Sequence, residues 1–103
     1  MIKTSFLVPI RDNEGRAFEG EAWAELEHRL LRFGGASAGG LISGTWESHA
    51  GVRRETNRQY QVGLARWTDL PDWLDVIRWA RRRFRQEAIY IEVAGMPEIM
   101  GGE

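Results

Sequence analysis

Six blocks of hydrophobic periodicity follow one another as strand, helix, strand, strand, helix, strand, and this order limits the architectures open to the chain. Residues 2–8, IKTSFLV, alternate Ile2, Thr4, Phe6 and Val8 with Lys3, Ser5 and Leu7, which reads as a first strand. RDNEG, 11–15, is turn chemistry. Over 19–33, Ala22, Trp23, Leu26, Leu30 and Phe33 recur at helical spacing. Glu19, Glu21 and Glu25 sit near the start of that segment and Arg29 and Arg32 near its end, which suits the helix dipole. Gly34 and Gly35 then stop it.

ASAGG, 36–40, reads as a loop, followed by strands over about 41–48 and 53–65. A second helix begins at TDLPD, with Asp69 as cap, Pro71 in the first turn and Asp72 at the positive end. Its inner stripe is Trp73, Ile77, Ala80 and Phe84, with Leu70 and Leu74 alongside. AIYIEVA, 88–94, is the last strand. The expectation is an α+β fold. Specifically, it is a ferredoxin-like βαββαβ sandwich, a four-stranded antiparallel sheet with two helices on one face. Residues 1–95 form the single domain and 96–103 a loose C-terminal tail.

A chain of 103 residues fits one domain. At this size about 60–65% of the unfolded surface is buried, so the core is modest. There is no cysteine, which excludes disulfides, thiolate metal sites and cysteine nucleophiles and fits a cytoplasmic setting. The net charge of −1 argues against a protein built to coat nucleic acid or an acidic membrane. No apolar run approaches the roughly 18 residues of a membrane span. No cofactor or metal is implied. His49 and Glu47 are two potential ligands, and two do not make a site.

Most of the polar chemistry lies in TWESHAGVRRETNRQYQ, 45–61. A two-residue turn at Ala50–Gly51 puts Trp46 beside Glu55, Gln59 and Gln61. A three-residue loop, His49-Ala50-Gly51, groups Ile42 and Trp46 with Tyr60, Val62 and Leu64 instead. It leaves Ser43, Thr45, Glu47, Arg53, Glu55, Asn57, Gln59 and Gln61 on the other face. The second register separates apolar from polar and is the one expected. Ser5, Leu7, Tyr90 and Glu92 join that open polar face. Glu55 is then the candidate general base, assisted by Glu47 and His49. Arg53, Asn57, Gln59, Gln61, Thr45 and Tyr90 are candidate ligand contacts. The competing reading is a set of solvated cross-strand pairs.

RWARRRFR, 78–85, is either a solvated helix face or a phosphate-contacting patch. Ser5, Leu7, Gln59 and Gln61 on the central strands offer no aromatic for base stacking, which argues against nucleic acid as a partner. Trp79 lies about 200° around the helix from Ile77, with Val76 near it. The two form either an exposed partner contact or a tryptophan packed on arginine stems.

RFGG at 32–35, GTW at 44–46, and a glycine followed by RRE over 51–55 together resemble a family of small uncharacterised bacterial domains. A glycine, a tryptophan, a hairpin glycine and a glutamate recur there in that order. The resemblance spans about residues 5–93 and matches Gly34, Gly44, Trp46, Gly51 and Glu55. It implies no activity. Expected, then, is a binding or interaction module that uses the open face to form a homodimer or to hold a small polar ligand. The alternatives are an enzyme with Glu55 as acid/base, and nucleic-acid binding through the second helix.

Overall fold

A computed structural model describes residues 1–101. The elements are β1 (Ile2–Pro9), α1 (Gly20–Leu30), β2 (Ser37–Ser48), β3 (Gly51–Leu64), α2 (Leu70–Arg83), β4 (Ala88–Val93) and β5 (Met96–Gly101). One antiparallel sheet holds the strands in the order β2-β3-β1-β4-β5. The α+β class stands. The four-stranded ferredoxin-like sandwich is corrected, because the sheet has five strands.

The fifth strand occupies most of the expected tail. Val93 pairs with Met96 across a two-residue turn, and both turn residues, Ala94 and Gly95, have positive φ of 53° and 82°. That is the mirror-image turn geometry whose twist matches a hairpin. Pro97 is tolerated because β5 is an edge strand, where a missing N–H can face away from the ladder. Residues 102–103 of the expected tail lie outside the described residues.

Both helices pack on one face of the sheet. Phe6, Val8, Tyr60, Val62, Leu64, Ile89 and Ile91 meet Ala22, Trp23, Leu26, Leu30, Trp73, Ile77, Ala80 and Phe84 there. Phe6 lies between Tyr60 (ring centroids 5.4 Å apart) and Trp73 (6.2 Å). Val76 belongs to this core at 5% exposure, since 73, 76, 77 and 80 form one continuous helical stripe against α1 and the sheet. The exposed Val76–Trp79 contact surface is therefore corrected. Trp79 is partly buried, with the Arg29 guanidinium 4.1 Å from its ring centre. Asp69 does not cap α2 through its side chain; its carboxylate accepts the Arg66 N–H at 3.3 Å instead.

At the rim of the core the Tyr60 hydroxyl donates to Glu27 at 2.7 Å. Burial, and then this bond, push the phenol up to about 12. Because the folded value lies above the ordinary 10.0, the neutral phenol stabilises the fold below pH 10, and that contribution is lost as pH rises toward 12. Tyr60→Phe is expected to cost about 1 kcal/mol at neutral pH. It should also flatten the alkaline fall of the stability curve, measured by urea unfolding at a series of pH values. An unchanged alkaline limb would show that Tyr60 does not cause it.

Candidate functional site

The site begins with a glycine pair inside a strand. Ala38 pairs with Tyr60, but Leu41 pairs with Arg58, so Gly39 and Gly40 together oppose Gln59. This is a β-bulge, and Gly40 takes the left-handed φ of 89° that it requires. Beyond the bulge the register runs on as Ile42 opposite Asn57, Gly44 opposite Glu55 and Trp46 opposite Arg53. The tip is two residues, His49 and Ala50, with Ser48 opposite Gly51.

Directly paired residues share a face. Trp46 and Ile42 therefore lie on the face of Arg53, Glu55, Asn57 and Gln59, away from the helices. The expected register is corrected: Trp46 does not join Tyr60 in the core. Thr45 and Glu47, opposite Arg54 and Val52, leave β2 on the other surface. The sequence argument chose a three-residue loop, His49-Ala50-Gly51; the tip has two residues, His49 and Ala50, and that difference of one moves Trp46 to the other face.

β1 pairs with β3 only as far as Pro9 opposite Asn57. The rest of the β2–β3 hairpin is thus a two-stranded arm, and it curls. Trp46 on β2 and Tyr90 on β4 are three strand spacings apart in the sheet, about 14 Å if it were flat. Their ring centroids are 6.0 Å apart. The arm therefore folds over the face opposite the helices. Ser5 and Leu7, on that face of β1, keep only 7% and 9% exposure. The face expected to be open is covered along its centre.

Between arm and sheet lies a cleft of about 430 Å³, which falls within the range of small-molecule sites. Leu7 and Pro9 of β1, Trp46, and Tyr90 and Ile99 give it apolar and aromatic surface. Glu55, Arg53, Asn57, Glu47, His49 and Thr45 border it, with Asn13, Gln86 and Glu87 at its margins. Glu55 is partly buried. Asn57 is 1% exposed, and its amide donates to the Ile42 carbonyl at 3.3 Å and the Glu55 carbonyl at 3.4 Å, so it ties the base of the arm. Gln59 and Gln61 lie outside the cleft. Gln59 packs its amide over Gly39, and Gln61 is exposed.

Trp46 was missed as a site residue because a large apolar side chain was assigned to the core. The signal was in GTW. The Trp46 indole lies across Gly44, where a Cβ would come within 2.8 Å of the ring. A glycine two residues before a tryptophan on one strand face provides such a seat.

Among the described residues no group of three or more His, Asp or Glu comes together to hold a metal ion. No helix is long and apolar enough to cross a membrane. The arginine run of α2 is largely engaged within the chain: Arg78 pairs with Asp75 at 2.9 Å, Arg83 with Glu25 at 3.0 Å and Arg85 with Asp12 at 3.4 Å. Arg81 donates to the Gln86 carbonyl at 3.2 Å. These contacts favour the solvated-face reading of that run.

No family model matches the chain, and no curated protein matches it. Solved structures do. The chain shares its fold with a phage SAM lyase. The structure of that lyase in complex with S-methyl-5'-thioadenosine superposes with a TM-score of 0.76 at 14% identity, over 99% of this chain and 90% of the other. Its apo state gives 0.71 at 16% identity over the same shares. At these identities the likeness establishes the fold.

Proposed function

We propose that the cleft binds an adenosine thioether or the corresponding sulfonium, the chemical class of S-methyl-5'-thioadenosine and S-adenosylmethionine. The observation that carries this reading is the Trp46–Tyr90 pair, which the curled arm brings together across two intervening strands to wall a nucleoside-sized cavity. A purine needs a flat π-surface, and stacking on one aromatic is worth about 1–3 kcal/mol. A sulfonium is a cation, and Glu55 and Glu87 outnumber Arg53 around the cleft. The fold neighbour, solved in complex with such a thioether, adds weight.

Calorimetric titration tests the reading. Saturable binding of S-methyl-5'-thioadenosine is expected, weakened about tenfold or more by Trp46→Ala or by Tyr90→Ala. Absence of binding at millimolar nucleoside would end it. The sheet-to-sheet homodimer is not part of this reading, because the arm already covers the surface it was to use.

A second reading, turnover, is favoured by the partly buried Glu55 in the wall. Cleavage of a sulfonium without water breaks the sulfur–carbon bond on the amino-acid side and leaves its electron pair on sulfur. Glu55 then takes the proton from the adjacent carbon as general base. An unsaturated four-carbon amino acid among the products fits this role. A four-carbon lactone would instead make the substrate's own carboxylate the displacing group and remove Glu55 as the base.

A further inference from the structure

A second recess adjoins the cleft on the far side of Glu55. Where β3 runs on past the end of β1, the loop leading toward α1 takes the place of a strand. The Ile10 N–H donates to the Thr56 carbonyl at 3.0 Å, and Arg53 donates to the Asn13 side-chain oxygen at 3.3 Å. Asp12 organises this loop. One of its carboxylate oxygens accepts the N–H groups of Glu14 and Arg16, both at 2.9 Å, and the other lies 3.6 Å from Arg16 and 3.4 Å from Arg85. The Arg16 N–H is the main influence that holds the Asp12 carboxyl below its ordinary range.

The recess measures about 380 Å³, and Arg11, Arg53 and Arg54 contribute to its lining. It shares Pro9, Asn13, Arg53 and Glu55 with the cleft, so the two cavities adjoin. Two carboxylates border it, Asp12 and Glu55. Asp12 is committed to the loop and to Arg16 and Arg85. Among the described residues none of Arg11, Arg53 and Arg54 stands in an ion pair. Arg11 gives one N–H to the Gly15 carbonyl at 3.3 Å and Arg53 one to Asn13. A guanidinium carries five donors in a planar fork, so most of their capacity is unspent. Planar donors with no carboxylate of their own along the lining of one hollow match an oxyanion.

We infer that this recess is an oxyanion subsite. It receives the carboxylate of the ligand whose nucleoside stacks against the Trp46–Tyr90 pair. The second part rests on the proposed function; the first does not. Glu55 stands at the junction of the two cavities, beside the cationic sulfur and short of the carboxylate.

Two measurements separate the parts. In the first, isotope-labelled protein is titrated with inorganic phosphate and with acetate, and amide shifts are followed by NMR. Saturable shifts are expected at residues 11–15 and 53–56, and they should disappear in the Arg11→Gln/Arg54→Gln double variant. No shifts there, or equal shifts along residues 78–85, would overturn the subsite whatever the cleft binds. In the second, S-adenosylmethionine is compared with its decarboxylated analogue. The intact ligand should bind at least tenfold more tightly. Arg54→Gln should remove most of that preference and leave S-methyl-5'-thioadenosine affinity unchanged. Equal affinity for the two sulfonium ligands would overturn the placement of the carboxylate.

Discussion

Adding one methyl group at Gly44 is expected to abolish most of the binding capacity of the cleft while leaving the fold in place. A Cβ there would sit 2.8 Å from Cζ2, 3.0 Å from Cε2 and 3.1 Å from Nε1 of the Trp46 indole. Such separations are not sustained, so the ring must move. It can move cheaply, because Trp46 stands on the arm, partly exposed, and not in the core. Unfolding free energy should therefore change by less than about 1 kcal/mol in Gly44→Ala, as for other surface sites. The displaced ring loses Tyr90, and with it one wall of the purine slot. Loss of one stacking partner corresponds to about tenfold or more in affinity for S-methyl-5'-thioadenosine. A double-mutant cycle supplies the control. If Gly44 acts only by seating the indole, Gly44→Ala adds nothing in a Trp46→Ala background. A further loss in that background would show that the backbone at Gly44 matters for another reason.

Glu55→Gln keeps the shape of the side chain and removes its charge. Two unit charges 4 Å apart at an effective dielectric of about 20 interact by about 4 kcal/mol, and partial exposure reduces this considerably. The expected result is selective: affinity for S-adenosylmethionine falls about tenfold, equivalent to about 1.4 kcal/mol, while the neutral thioether is bound as before. Added salt should weaken sulfonium binding to the native protein and have less effect on the variant. If Glu55 also serves as the base, turnover of the sulfonium falls by at least about a hundredfold, beyond the change in binding. Equal loss for both ligands would mean that Glu55 acts by packing. No loss for either would move the sulfur elsewhere.

The helices, β1 and β4 were legible because each carries a single uninterrupted period. Trp73, Ile77, Ala80 and Phe84 recur on one helix face, and Thr4, Phe6 and Val8 alternate with Lys3, Ser5 and Leu7. Val76 was misplaced only because the stripe was drawn too narrow. The arm was not legible. Its register depends on the number of residues at the tip, and the tip has two, His49 and Ala50, where three were expected. A one-residue change at the tip exchanges the two faces for every β2 side chain from 41 to 47. It turned Trp46 from an expected core residue into part of the cleft wall. β5 was hidden because its turn is Ala94–Gly95, not the usual Asn-Gly, and because Pro97 reads as a breaker in any strand but an edge one.

Contacts between residues far apart in the sheet carry no local signature at all. Nothing in the spacing of Trp46 and Tyr90 states that they meet, since the meeting depends on how far the arm curls. The polar residues around Glu55 were recognised as a group from composition. What they surround is a covered cleft and not an open face, and that needed the three-dimensional arrangement.

Intermolecular NOEs in a complex with S-methyl-5'-thioadenosine give the most direct test. The adenine protons should contact the ring protons of both Trp46 and Tyr90, and the S-methyl group should lie near Glu55. Adenine contacts confined to the helical side of the sheet, or to the α2 arginines, would contradict a nucleoside cleft beneath the arm.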